Sequence, residues 1–576
     1  MPSALAQSFT NTMQKIKGST FDPVRDYDAD PTGVTSSAEA FAAMAADVTA
    51  RGLAGLKSLV VIPEGTFQLG TATTCRLLFG GGNVTVRGAG MARTRLLYTA
   101  IFRGDNTPQY SPTRGTCVFL GPGGPTASYN YTLSDFTIED ESDDDQTFGS
   151  SAVWAFYASD VDIRRVELVN CNGGNFTLLG GGPFGPEGRL LSRNLHLEDN
   201  WVHTTQTGIS NAAAYNIGGW FGVKAIRNRS EGNIQRFGFE GGEMHYAQIQ
   251  NNHDHRNFWD GSDFFGTDPG GLAAAHFENT AAWEGGDGMG NMAASNSIIS
   301  DNVIELEAAG KWGIGMNSDG DTISAGVESQ LERNIITGPS TCGGFKIQSS
   351  NGGALRNLTI RGNKVRGPLI FCGEFFFVPS GIFDVYENVH DLNGEANVGE
   401  LVNFAMSGAP GAAIPSDCKL IRIANNKIIN GHVNFTNNIQ SPMGRIVNFN
   451  TWTNGLDARV RLEGNEIGND IESATTFHID GYTPDPDPRV EFALVVGTLA
   501  AGALSSARLL PVKGLMLGDT VTCVPEQNLP NGIQVVARVV DDSGTKKISW
   551  QVANFTNGSI AVPDGYYRFA VHRKSI

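Results

Sequence analysis

The sequence predicts an all-β chain wound as a parallel β-helix, sealed at its start by one helix and followed by a small antiparallel β domain. Three observations carry this. A loose repeat of strand, Asn and second strand runs from about Ser134 to Ile471. Glycine is abundant (72 of 576 residues) and only 18% of residues are charged, which suits many short strands joined by tight turns. The block Phe21 to Leu69 reads as an amphipathic helix between turn-rich and apolar strand segments.

In that block, Val24 to Tyr27 reads as a short strand, and Asp28 to Gly33 is dense in turn residues. Ser36 with Glu39 has capping-box spacing. Ala38, Phe41, Ala42, Ala45 and Val48 then recur on one helical face, and Gly52 and Gly55 end the helix. Leu59 to Ile62 is an apolar strand, and Pro63-Glu64-Gly65 turns the chain into Thr66 to Leu69. The block resembles the start of right-handed parallel β-helix proteins of the pectate-lyase-like superfamily, including bacteriophage tailspikes. Their pattern is a strand, a D-x-x-A-D-G-x-x-D-D-T turn, an Ala-rich helix and V-V-x-P-x-G-T-Y. Here the matching residues are Asp26, Ala29, Asp30, Gly33 and Thr35, then Val60-Val61-Ile62-Pro63-Glu64-Gly65-Thr66-Phe67. The chain departs at Ser36-Ser37, where acids are usual, and at Phe67, where Tyr is usual. The resemblance implies the right-handed β-helix and leaves the chemistry open.

The repeat is marked by Asn194, Asn228, Asn251, Asn302, Asn334, Asn363, Asn426 and Asn465, mostly about 23–40 residues apart. Asn at a bend tolerates left-handed backbone, and its amide can bond to the turns stacked on it. Flanking Ile, Val and Leu would stack inward into an apolar column. A β-sandwich would instead show turns every 8–12 residues or so.

The expected organisation is an arm or stem over 1–20, a capping region over 21–90 and the β-helix over 91–480. The alternating Pro run of 481–488 is a stiff linker. Residues 489–576 read as short antiparallel strands forming a β-sandwich. Leu517-Gly518-Asp519-Thr520-Val521, Val552 to Thr556 and Pro563 to Arg568 resemble the small C-terminal domain of some phage tailspikes. That resemblance implies a homotrimer held there. Leu5, Phe9, Met13 and Ile16 at helical spacing would let residues 1–20 dock on another virion protein.

The net charge of −17 argues against nucleic acid, whose phosphates need Lys and Arg. The seven scattered cysteines, without a C-x-x-C pair, suit buried thiols and a reducing compartment. No secretory signal is visible at the start, and the longest apolar run, Ala493 to Leu504, is too short to insert in a membrane. These features fit a phage-tail virion protein assembled in the host cytoplasm. No metal or cofactor is expected, because His253-Asp254-His255 lacks an assignable distant ligand.

The chemistry is expected in 201–321, which holds five of the eight Trp and five of the ten His. An aromatic-acid-Gly-x-acid pattern occurs three times: Phe239-Glu240-Gly241-Gly242-Glu243, Trp259-Asp260-Gly261-Ser262-Asp263 and Trp283-Glu284-Gly285-Gly286-Asp287. If each sat at an equivalent bend, the acids would stack in rows. Glu240, Glu243, Asp260, Asp263 and Asp287 are the candidate catalytic acids. Trp201, Trp220, His245, Tyr246, His255, Trp259, Trp283 and Trp312 are the candidate sugar contacts. Paired carboxylates suit glycosidic cleavage, since one protonated and one ionised acid are needed. With the tailspike resemblance this implies a depolymerase of a bacterial surface polysaccharide. Two alternatives stay open: β-elimination by a lyase of the same fold, and a glycan-binding adhesin that does not cut.

Overall fold

The computed structural model describes residues 18–71, 77–100, 116–122, 128–141, 151–171, 176–180, 192–204, 214–232, 237–241, 244–257, 260–263, 294–306, 312–318, 328–338, 343–349, 354–367, 370–374, 378–391, 402–404, 418–429, 447–449, 460–463, 466–467, 489–494, 497–505, 507–511, 520–525, 529–542, 545–562 and 565–572. The arm 1–17, the Pro run 481–488 and Asn465 lie outside them. Two compact units are present: Met1–Val378 with Val402–Ser407, and Pro379–Leu401 with Gly408–Ile576.

In the first unit the chain is a parallel β-helix. Each coil contributes up to three strands, so three columns run along the solenoid. A typical coil has Trp220–Ile226 in the first column, Arg229–Gly232 in the second and Phe237–Gly241 in the third. Each pairs in parallel with its counterpart one coil on: Met244–Gln250, His253–Asn257 and Asp260–Asp263. Register, not loop length, keeps the core continuous. Val60, Val86, Leu133, Ile163, Leu197, Ala225, Ile249, Ile299, Leu331 and Ile360 are successive partners in the first column, and all are buried. A third-column row of Leu77, Val118, Val153, Phe176 and Tyr215 fills the facing side and is equally buried.

Between the first and second columns lies the Asn ladder. Asn200, Asn228, Asn252, Asn302, Asn334 and Asn363 are buried. Each of the first five donates Nδ2 to the next one's Oδ1, at 2.9–3.1 Å. Each also donates to a carbonyl of the preceding coil, as Asn302 does to Ile249 at 3.0 Å. Two expected members are corrected. Asn194 is exposed and donates to Asp160 instead. Asn251 holds the left-handed position (φ 56) just before ladder residue Asn252. The two roles assigned to one Asn fall on neighbours: the preceding residue takes positive φ, and the buried Asn makes the bonds. That preceding row includes Asp135, Arg165, Asp199, Arg227, Asp301 and Arg333. Forked ion pairs join Arg165 to Asp135, Arg227 to Asp199 and Arg333 to Asp301. These exposed pairs contribute little to stability.

The opening block differs from expectation in two places. Pro23–Tyr27 is a short helix, not a strand. Asp22 caps it by accepting from Val24 N (2.9 Å) and Arg25 N (3.1 Å), with Pro23 at the first helical position. The main helix, Ala38–Leu53, starts after Ser37 rather than Ser36. Ser37 makes no cap bond, because its hydroxyl bridges to the backbone of Asp30. Phe41, Met44, Ala45 and Val48 are buried, with Phe41 edge-on to Phe67 at 5.3 Å. Gly52 crosses Gly81 backbone to backbone: a Cβ on Gly52 would meet the Gly81 carbonyl carbon at 2.7 Å. The helix thus covers the first coil, where an unpaired edge would otherwise invite association.

In the second unit, residues 381–386 pair in parallel with Cys418–Ala424, which pairs in turn with Val460–Glu463, and Asn388 donates to Asn426. Its C-terminal strands are antiparallel. They form three small sheets: Arg489–Leu494, Gly565–His572 and Thr520–Pro525; Gly497–Leu499 and Ile560–Val562; Arg508–Pro511, Thr545–Asn554 and Ile533–Asp542. Leu499, Ile533, Ile548, Trp550, Val552 and Val562 form their shared core, against which Val521 and Cys523 pack. Cys117, Cys171 and Cys418 are buried thiols without a disulfide. Among the described residues no helix is long and apolar enough to cross a membrane.

Candidate functional site

The third column brings two of the candidate acids together. Tyr215, Phe239 and Ser262 are successive partners, and Asn216, Glu240 and Asp263 form the alternate row beside them. That row runs from Leu78 through Phe119, Trp154 and Thr177, and Phe119 lies 6.0 Å from Trp154, ring to ring. The expected arrangement is corrected here. The first two aromatic-acid-Gly-x-acid segments form strands, not bends, and their acids are slipped by three residues. Glu240 stands beside Asp263, and Asp260 stands beside Phe237. Glu243, Asp287, Trp259 and Trp283 lie outside the described residues.

Among the described residues, Trp154 Nε1 and Asn216 Oδ1 of this row are buried and find no hydrogen-bond partner. An unmet buried polar atom costs about 1–3 kcal/mol, so its persistence calls for a reason. Both are on strands that lead to Glu240, and Asn216 is its direct neighbour. Sequence reading passed over both, since neither belongs to the acid-rich segments.

A second polar cluster occupies the second column. Glu167, Trp201, Arg229 and His253 are successive partners, with Val169, His203, Glu231 and His255 in the adjoining row. Glu167 accepts from Thr137 Oγ1 at 2.6 Å, and His203 Nε2 lies 3.0 Å from its Oε1. The His203 hydrogen bond, helped by Thr137 and the His203 and Arg95 charges, outweighs burial and holds this carboxyl below its usual range. Trp201 stacks on His203 at 4.1 Å, and the Arg229 guanidinium lies 5.2 Å from its ring centre. Arg229 also pairs with Glu231 at 2.8 Å. Burial, then the Arg229 charge, pushes His253 below the ordinary imidazole range.

The other expected sugar contacts divide. Trp220 is corrected: it is fully buried and donates Nε1 to Leu178 O at 2.8 Å, so it is core and offers no platform. His245 is also buried, 6.3 Å from the Phe221 ring, which removes it from any open surface. Tyr246 is 53% exposed. Trp201 already has ring neighbours of its own chain. His255 sits between Glu231 and Glu305 in register, and Trp312 begins a third-column strand opposite Gly343.

Fold and site together define a helix-capped parallel β-helix with an acid pair on its third column. No protein-family model matches the chain, and no curated protein matches it. Among solved structures it is similar to the tailspike protein of E. coli bacteriophage HK620 in complex with pentasaccharide, at 12% identity over 98% of this chain and 95% of that one, TM-score 0.44. It is also similar to the A-module of Azotobacter vinelandii mannuronan C-5 epimerase AlgE4, at 14% identity over 78% of this chain and 95% of that one, TM-score 0.38. Identities and scores this low leave the chemistry to be read from this chain's own residues.

Proposed function

We propose that the protein is a tailspike-like depolymerase that binds a bacterial surface polysaccharide and hydrolyses its glycosidic bonds with Glu240 and Asp263. The observation that carries this is their register: the two acids are direct neighbours on adjacent coils, in the row that holds Trp154 and Asn216. Adjacent parallel strands stand about 4.8 Å apart. That is on the scale of the ~5–5.5 Å separation of carboxyls in retaining glycosidases, against ~6.5–9.5 Å in inverting ones. One acid donates a proton to the leaving oxygen while the other, ionised, attacks the anomeric carbon; water then releases the sugar. This chemistry needs one acid protonated and the other ionised, a division that neighbouring carboxylates favour.

The rest of the reading is a homotrimer joined through 489–576, attached to the particle through residues 1–20 and assembled in the host cytoplasm. It is supported by the resemblance of the C-terminal segment and by the helical spacing of Leu5, Phe9, Met13 and Ile16. Released reducing ends from purified surface polysaccharides test the activity, and no release from any of them would sink it.

A second reading, β-elimination, draws on the Glu167–His203 pair. In the Nε2–H tautomer, His203 donates to Glu167 and leaves Nδ1 to take the proton α to a uronate carboxylate. The electron pair forms C4=C5, the C4–O bond breaks, and the leaving oxygen takes a proton from water. Arg229, one coil on from Trp201, would supply positive charge for the carboxylate by exchanging its pairing with Glu231. Ultraviolet absorbance of the unsaturated product would select this reading.

A further inference from the structure

The first column carries a surface that hydrolysis at Glu240 and Asp263 does not use. Near the start of its strands, one residue per coil has left-handed backbone: Asn130 (φ 66), Asp160 (φ 54), Asn194 (φ 54), Gly222 (φ 82) and Tyr246 (φ 56), then Asn296, Glu328 and Asn357 further on. The bend reverses strand parity, so Trp220 and Val223 both face inward while Phe221 between them is exposed. Along this row short polar side chains link coil to coil: Asn130 donates to Asn83 at 2.9 Å, and Asn194 donates to Asp160 at 2.7 Å.

At Gly222 the row loses its side chain. A Cβ there would stand 3.3 Å from Asn194 Oδ1. Phe221 (39% exposed) and Tyr246 on the next coil (53% exposed) rise beside the gap, ring centres 5.0 Å apart and tilted by 58°. The result is a notch with aromatic walls on one side and an amide oxygen on the other. Tyr246 is a bulky residue in a conformation that its row otherwise gives mainly to Asn, Asp and Gly. Such strain is retained where the side chain is needed in that place.

Charge narrows the ligand. Asp160 is paired with Arg193 at 3.2 Å, and Arg193 stands in register beside Phe221. The members at the notch are otherwise Asn, Gly, Phe and Tyr; the nearest further charges are exposed Lys224, two residues on from Gly222, and Glu328, two coils on from Tyr246 in the same row. The notch fits a neutral ligand with one flat apolar face and a rim of hydroxyls, which is a pyranose. The side chains that wall the notch itself, Phe221, Tyr246 and Asn194, carry no charge, which favours an uncharged sugar over a polyanion or a basic partner.

We propose that Phe221, Gly222, Tyr246 and Asn194 form a second carbohydrate site, taking an uncharged pyranose of the polymer that the acid pair cuts. It rests on the polysaccharide reading above. It anchors the chain of sugars on the first column and does no chemistry.

The test uses the full chain carrying E240Q and D263N as parent, with purified neutral and uronate-containing bacterial surface polysaccharides immobilised as probes. Added substitutions are F221A with Y246N, where Asn keeps the left-handed backbone, and separately G222N, which restores the polar row and fills the notch. The expected result is binding of a neutral polymer by the parent and about tenfold weaker binding by each variant, the usual scale for losing an aromatic anchor. Oligomeric state and circular dichroism should not change. Binding by both variants at parental strength would overturn this site and leave the depolymerase reading standing. Weakening that accompanies loss of the oligomer would overturn it too, assigning the aromatics to a contact between copies. No binding of any polysaccharide by the parent would overturn both.

Discussion

Asn302 gives the most calculable test of what holds the coils in register. It is 1% exposed. Its Nδ2 donates to Asn334 Oδ1 (2.9 Å) and Ile249 O (3.0 Å), and its Oδ1 accepts from Asn252 N and Nδ2, both at 3.0 Å. Asn302→Asp keeps the volume and the acceptor but removes both donations, leaving Ile249 O and Asn334 Oδ1 facing a carboxylate. Asn334 Oδ1 keeps the Asn302 N–H at 3.1 Å, but two buried donations are lost beside a buried charge at about 1–3 kcal/mol each, so about 3 kcal/mol is the expected cost. At 1.4 kcal/mol per tenfold, local opening should rise about 100-fold. Unfolding of a chain this long is often irreversible, so global midpoints are a poor ruler. Hydrogen exchange reads the site directly, through peptides containing the Asn252 and Asn302 amides. The excess exchange should shrink as pH falls, because burial raises the new carboxyl and protonation restores one donor. Exchange within about twofold of wild type would refute the ladder as the source of register.

Three further outcomes follow from the geometry. Glu167 is held ionised by His203 and Thr137, so its folded value lies below its unfolded one. The stability it adds is therefore full above the ordinary carboxylate range and is lost as pH falls through the depressed value. Hydrogen exchange in peptides that contain Glu167 and His203 should be alike for wild type and Glu167→Gln there and slower for wild type above it. Trp220→Phe removes the bond to Leu178 O and opens a void, which should cost about 2–4 kcal/mol in unfolding without changing polysaccharide affinity in the folded fraction. Retention at the anomeric centre, followed by NMR during cleavage, is expected from adjacent-coil acids; inverted product would move the catalytic pair elsewhere.

The helix-capped solenoid is legible in the sequence because composition, the Asn repeat and the opening block agree. Three details are not, each for a local reason. In the pair Asn251-Asn252 one residue supplies positive φ and the other the buried amide, and residue type alone does not assign the roles. Trp220 reads as outward because strict alternation counted back from Ala225 and Val223 puts Phe221 inside; the left-handed Gly222 reverses the parity. Asp22-Pro23 is a cap followed by a first-turn proline, and the apolar-polar run of Val24 to Tyr27 masked that signal.

The acid pair shows how register can be recovered. Matching the segments by likeness sets Glu240 against Asp260, while the ladder step from Asn228 to Asn252 is 24 residues. A coil of that length puts Glu240 near Asp263, as observed. Glu167, Arg229 and Glu231 escaped notice because their grouping exists only across coils.

The central claim is that Glu240 and Asp263 act as one catalytic pair. The most direct measurement is the rate of reducing-end release from a polysaccharide the protein binds, compared for wild type, E240Q, D263N and the double variant. If they act as a unit, each single change should lower kcat by about 10³-fold or more, with the double little worse than either. Binding and oligomeric state should hold. Near-wild-type cleavage by either single variant would contradict the account.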